Sequence, residues 1–212
     1  MAFRDRAEAG RKLALKLKGK IKARTKVVAL ARGGIPVGAE IAKEVKIPLE
    51  IAIVRKIGSP FNKEFAVGAI AEDGNIIIDH QAIERYRIPT SAVKGVIAKE
   101  KAELKRRIKL YRKGKRLRLT PNTNIILADD GAATGLTIKA AVKMLRRFDP
   151  DKITLALPVC VLETALELSD LVDELICLST PRNLDSIGSW YKNFKQVSDD
   201  QVLKLLKTLT KN

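Results

Sequence analysis

The sequence predicts an α/β fold, a parallel sheet flanked by helices. Three observations lead there. Short aliphatic runs recur along the 212 residues, built on Val, Ile, Leu and Ala, with aromatics at only 4%. These runs do not alternate strictly between polar and apolar residues, as expected of strands covered on both faces. Segments with helical spacing separate most of them, the pattern of strand–helix–strand crossovers.

The elements follow in order. A helix over 3–23 carries Phe3, Ala7, Leu13, Leu17 and Ile21 at helical spacing. A strand over 27–31 precedes a helix over 36–45 that Pro36 opens. The Ile47-Pro48 turn leads into a strand over 49–55, and strands over 66–71 and 76–79 follow. A helix over 90–113 places Val93, Ile97, Leu104, Ile108 and Tyr111 on one stripe. Then come a strand over 125–129, a helix over 136–148 that Asp149-Pro150 ends, and a strand over 153–159. A helix over 161–169, a strand over 175–178 and a helix over 199–209 complete the chain. The stretch 180–198 is irregular and holds the only Trp, which predicts a small flap on the sheet. No repeat or low-complexity linker divides the chain, so a single domain is expected.

The net charge of +17 is concentrated. Residues 1–26 carry ten Lys/Arg and two acids, and residues 94–118 carry twelve and two. The remaining residues hold 19 basic and 20 acidic groups. Each basic stretch is a helix with one apolar stripe and a cationic outer face. Such a face is either simply solvated or a surface for RNA or DNA, and no nucleic-acid motif accompanies it. No apolar run approaches the ~20 residues needed to cross a bilayer. The first residues lack the apolar core of a secretory signal and read as an ordinary first helix. Cys160 and Cys177 lie in apolar contexts. They are expected as buried free thiols in a reducing, cytoplasmic setting.

The chemistry concentrates in IILADDGAATGLT, residues 125–137. An apolar strand ends in Asp129-Asp130. Gly131, Ala132, Ala133, Thr134, Gly135, Leu136 and Thr137 then lead into a helix. Small residues let backbone N–H groups approach an anion, and the helix N-terminus adds unpaired donors and the positive end of its dipole. Thr134 and Thr137 add hydroxyl donors. Two adjacent carboxylates accept from neighbouring ribose hydroxyls or help hold Mg²⁺. Acids for a diol beside a cradle for a phosphate describe a ribose phosphate site. Neither Gly-Lys-Ser/Thr nor Gly-x-Gly-x-x-Gly is present, so this is no Walker or dinucleotide fingerprint.

This segment resembles the signature of type I phosphoribosyltransferases, which bind 5-phosphoribosyl-1-diphosphate (PRPP). Ala29-Leu30-Ala31-Arg32-Gly33-Gly34 is similar to that family's diphosphate loop, and Val54-Arg55-Lys56 to the basic pair before its mobile catalytic loop. Residues 58–65 would be that loop. A closer resemblance is to a bacterial and archaeal subgroup called predicted phosphoribosyltransferases. It rests on residues 54–74, residues 104–114 and the stretch Gly188-Ser189-Trp190-Tyr191-Lys192-Asn193-Phe194-Lys195-Gln196. It spans nearly the whole chain with its motifs in order. The fold it implies is a phosphoribosyltransferase-like sheet with a helical insertion at about 80–118 and a C-terminal flap at about 180–198.

The resemblance implies Mg²⁺-dependent transfer of phosphoribose to an acceptor, expected to be a nitrogenous base, with loss of diphosphate. Arg55, Lys56 and Lys63 would be catalytic. Arg32, Gly33 and Gly34 would hold diphosphate, and Asp129 and Asp130 the ribose and Mg²⁺. The loop 131–137 would hold the 5′-phosphate. Glu64 is either a general base or a loop solvator. Trp190, Tyr191 and Phe194 either stack on a flat acceptor or anchor the flap. Arg106 and Arg107 either reach the site or belong to a structural or oligomeric helix, and a homodimer is the family tendency. His80 reads as a solvated or capping residue before it reads as a catalyst. One departure matters: relatives acting on 6-oxopurines carry an acid just before Thr-Gly, where this chain has Ala133. Two rivals stand beside transfer. One is a non-catalytic PRPP sensor, with or without nucleic-acid binding. The other is the reverse reaction, which splits nucleotides.

Overall fold

A computed structural model describes residues 3–63 and 65–209. Its centre is a seven-stranded sheet in the order β4-β3-β2-β1-β5-β6-β7. The strands are β1 (Thr25–Ala31), β2 (Leu49–Gly58), β3 (Ala66–Ala71), β4 (Ile76–Ile78), β5 (Asn124–Ala128), β6 (Lys152–Leu157) and β7 (Glu174–Cys177). The helices are α1 (Arg6–Leu17), α2 (Gly34–Val45), α3 (His80–Arg85), α4 (Thr90–Arg112), α5 (Leu136–Arg146), α6 (Leu162–Ser169) and α7 (Asp199–Leu209). Glu64, considered above as a base, lies outside the described residues.

The sheet corrects one expectation. Strands β2, β1, β5, β6 and β7 are parallel, but β3 runs antiparallel to β2, and β4 to β3. The cause is connection length. A parallel return takes a dozen or more residues, usually a helix. Only the short stretch 59–65 joins β2 to β3, and a turn joins β3 to β4. The helix α3, less than two turns long, lies in the expected helical insertion but was not expected as a separate element. Its N-cap is Asp79, whose carboxylate accepts from the Ala82 N–H at 2.8 Å. His80 follows as an exposed first residue.

Side chains alternate between two cores. Ile125 and Leu127 of β5 pack with α5 and α6, while Ile126 and Ala128 pack with α1 and α2. Ala29, Ile51 and Ile53 turn to the same side as α1 and α2, where Leu104 and Tyr111 of α4 and Val202 of α7 cover them. Thus α2 and α5 leave neighbouring parallel strands, β1 and β5, toward opposite faces. A crevice must open at the carboxyl ends of those two strands, the topological switch point of an open parallel sheet.

Two further contacts shape that crevice. A Cβ on Gly10 would lie 2.6 Å from the Val37 carbonyl oxygen, so α1 rests directly on α2 there. The flap is fastened to the N-terminal segment: Phe3 N–H donates to Trp190 O (3.0 Å) and Lys192 N–H to Phe3 O (2.9 Å). Beside these bonds Tyr191 stacks on Phe194 and packs at a tilt against Phe3. Both cysteines are free, Cys160 buried and Cys177 half-buried. No helix among the described residues is long and apolar enough to cross a membrane.

Candidate functional site

The crevice is a cleft of about 840 Å³. The carboxyl end of β5 delivers Asp129 and Asp130 into it, and the loop 131–137 runs from there into α5. Gly131 (φ 152°) and Gly135 (φ 67°) adopt backbone conformations that side chains disfavour. The loop is pinned from beneath: Ala132 N–H donates to Val159 O (3.0 Å), and Val161 N–H to Ala132 O (3.1 Å). No side chain caps α5. Its first N–H groups are therefore open to an outside acceptor.

The α2 terminus meets the same acids. No side chain caps α2 either. A Cβ on Gly34 would fall 2.6 Å from Ala128 O and 2.8 Å from Asp129 Cα. On Gly33 it would fall 2.1 Å from a carboxylate oxygen of Asp130. Only glycine allows this approach. The cleft thus has two uncapped helix N-termini on either side of an acid pair, an arrangement for two anionic groups separated by hydroxyls.

Burial works against ionisation of both acids. Burial, and then its neighbour Asp130, hold the Asp129 carboxyl well above the usual range. Burial also raises Asp130, but Arg6 opposes it. Arg6 Nε donates to Asp130 Oδ2 at 2.7 Å, its NH1 to Lys195 O at 2.9 Å, and its guanidinium lies 3.7 Å from the Phe194 ring centroid. Tyr191 OH donates to the Asp130 carbonyl at 2.7 Å.

The same cleft also carries a basic wall. Arg32, Arg55 and Lys56 all line the cleft. Arg55 is held at 2.7 Å by Glu100 of α4, and Arg32 stands 3.5 Å from Asp199 of α7. Lys63 is placed elsewhere, exposed on the loop after β2. Trp190 and Tyr191 also stay out of the cleft. Tyr191 is buried between Phe3 and Phe194, and the flap residues that face the cleft include Ile187 and Phe194. His80 does not line it.

Sequence reasoning missed Arg6, which one long-range contact selects from ten basic residues near the N-terminus. It also missed Ile187 on the cleft wall. Arg107 did leave a signal. It stands three residues after Leu104 and four before Tyr111, on the apolar side of its helix, where a charge is informative.

Over residues 4–201 the chain matches the family described as phosphoribosyl transferase domain. The chain belongs to that family. Two Mycobacterium tuberculosis proteins with the provisional name phosphoribosyl transferase are 39% identical over 205 residues, 96% of this chain and 46% of theirs. The chain therefore spans about half the length of the curated relatives it matches. A crystal structure from Thermus thermophilus superposes with a TM-score of 0.78 at 31% identity, covering 99% of each chain. An APRTase from Giardia lamblia complexed with 9-deazaadenine superposes at 0.50 with 15% identity, over 84% of this chain and 80% of that one, a likeness of fold alone. The segment expected as a helical insertion forms α3 and α4. The flap is the irregular stretch that carries the short helical turn Ile187–Trp190.

Proposed function

We infer that this chain moves phosphoribose from PRPP to a nitrogenous base and releases diphosphate. One observation carries the reading: two uncapped helix N-termini flank an acid pair in one cleft. The α5 terminus and loop 131–137 would take the 5′-phosphate, with Thr134 and Thr137 adding hydroxyls. Asp129 and Asp130 would accept from the ribose hydroxyls. The Gly33-Gly34 backbone, Arg32, Arg55 and Lys56 would hold the diphosphate and stabilise its departing charge. Lys63 would join from the loop after β2, and the flap would exclude water. The domain family and the Mycobacterium tuberculosis relatives support transfer in general terms.

The donor set fits Mg²⁺ of one kind. Among the described residues no three His, Cys, Asp or Glu side chains gather as a metal cage. Two adjacent carboxylates suit an ion that keeps waters and substrate oxygens as its other ligands. Such an ion would neutralise leaving-group charge. On the acceptor side, Ala133 offers no proton transfer, so 6-oxopurines are disfavoured. Ile187 and Phe194 suit a flat apolar face. Two free thiols suit a reducing, cytoplasmic setting.

The test is a screen of bases and small amines with PRPP and Mg²⁺, following diphosphate release. Turnover with one acceptor supports transfer. PRPP binding without turnover on any acceptor points instead to a sensor.

One observation favours a second role. Lys101, Lys105 and Lys109 are exposed at spacing of four on α4, so they form one cationic stripe. A regulator that binds nucleic acid would use it. Its affinity for a duplex would then fall steeply between about 50 and 200 mM salt, and absence of binding at the lower salt removes this role.

A further inference from the structure

The insertion helix α4 sends two adjacent arginines in different directions. Arg106 has a side chain 48% exposed and bridges Glu103 and Asp199 on the outside. Arg107 has a side chain only 5% exposed and lines the cleft beside Arg55 and Arg32. Its Nε donates to Glu103 Oε1 at 2.7 Å, one turn back on the same helix. An arginine that served only to staple α4 would have no need to face the cleft, nor to sit among like charges. Here burial and then the charge of Arg55 pull the Arg107 guanidinium below the usual arginine range, with Arg32 adding to the repulsion.

The acids around it hold the cluster together without neutralising it. Glu100 holds Arg55, Glu103 is shared between Arg106 and Arg107, and Asp199 is shared among Arg32, Arg106 and Tyr111. Arg32, Arg55 and Arg107 thus converge on the cleft, and two of their three carboxylates, Glu103 and Asp199, are also drawn on by Arg106 from outside it. The tethering carboxylates come from α4 and α7, so they fix the forks relative to the cleft. A multivalent anion is the chemistry that relieves such a cluster.

We propose that Arg107 is a third guanidinium of the diphosphate subsite, delivered by α4 and tethered by Glu103. The proposal rests on the reading of the cleft as a PRPP site. It gives the insertion a role in the chemistry, because one of its arginines completes the leaving-group pocket that β1 and β2 begin.

The test is calorimetry of inorganic diphosphate with Mg²⁺, and separately of ribose 5-phosphate. Arg107→Gln is expected to weaken diphosphate by about tenfold or more and leave ribose 5-phosphate within about twofold. Arg107→Lys, which keeps the charge without the fork, falls between. Glu103→Gln loosens the tether and is expected to tighten diphosphate about threefold with Arg107 present, and not in the Arg107→Gln background. A folded Arg107→Gln with native diphosphate affinity overturns the proposal. So does a Glu103→Gln gain that persists without Arg107. If Arg107→Gln does not fold, Glu103→Gln alone decides: unchanged or weaker diphosphate binding overturns it. A native protein that ignores diphosphate sinks the PRPP reading as well, whereas native binding with indifferent variants sinks this proposal alone.

Discussion

Arg6 and Asp130, 124 residues apart in sequence, meet in a 2.7 Å ion pair at the floor of the cleft. The pair is largely buried, with side-chain exposures of 11% and 16%. Arg6 also reaches the flap through Lys195 O and the Phe194 ring. One guanidinium thus joins the first helix, the acid pair and the flap. Breaking a buried pair from one side costs about 3 kcal/mol, because the remaining charge is stranded. Arg6→Gln is expected to lower stability by about that much in urea unfolding. Arg6 also holds down the Asp130 carboxyl. Its loss should therefore move the pH at which PRPP binding appears upward. Native stability with a native pH profile would show that the pair does neither.

The two acids should respond unequally to amide substitution. Folding raises the Asp129 carboxyl, first by burial and then by Asp130. A carboxyl raised on folding binds a proton that the unfolded chain releases. Stability therefore falls as pH climbs from the unfolded carboxylate range toward the folded value, and it stays lower above that. Asp129→Asn removes the penalty, so its melting temperature at pH 7 should exceed the native one. The difference should vanish below about pH 3. Each kcal/mol corresponds to roughly 2–4 °C for a chain of this size. Asp130 is raised less, because Arg6 opposes its burial, so Asp130→Asn should gain less at pH 7. Thermal unfolding at pH 3 and pH 7 separates the cases, and equal shifts for both variants would contradict them.

The two glycines at the head of α2 offer a second contrast. An alanine Cβ at Gly34 meets backbone, Ala128 O at 2.6 Å and Asp129 Cα at 2.8 Å. At Gly33 it meets a side chain, the Asp130 carboxylate. Backbone cannot step aside, so Gly34→Ala should cost about 1–3 kcal/mol of stability. Gly33→Ala should cost less and act mainly by pushing Asp130 out of place, weakening PRPP. Urea midpoints beside calorimetric affinities test this. A Gly33→Ala variant with native affinity would contradict it.

These variants also mark what the sequence could tell. The acid pair and the loop of the candidate site were legible because their parts are local. A strand end, two acids, small residues and a helix start fall within the thirteen residues 125–137. The seven strands were legible as aliphatic runs, but not their directions, since β3 and β4 look like buried parallel strands until the short connections are weighed. Arg6 was illegible for another reason. Its role depends on Asp130, far along the chain, and nothing near Arg6 in sequence records that contact. Trp190 and Tyr191 drew attention as the rare aromatics. The fold commits Tyr191 to Phe3 and to the Asp130 carbonyl, and leaves Phe194 facing the cleft.

The central claim is that this cleft grips PRPP through the acid pair. Calorimetry of PRPP with Mg²⁺, on the native chain and on Asp129→Asn with Asp130→Asn together, tests it most directly. The native chain is expected to bind, and the double variant, shown to be folded by its thermal transition, to show no measurable binding. Undiminished PRPP binding by a folded double variant would contradict the claim.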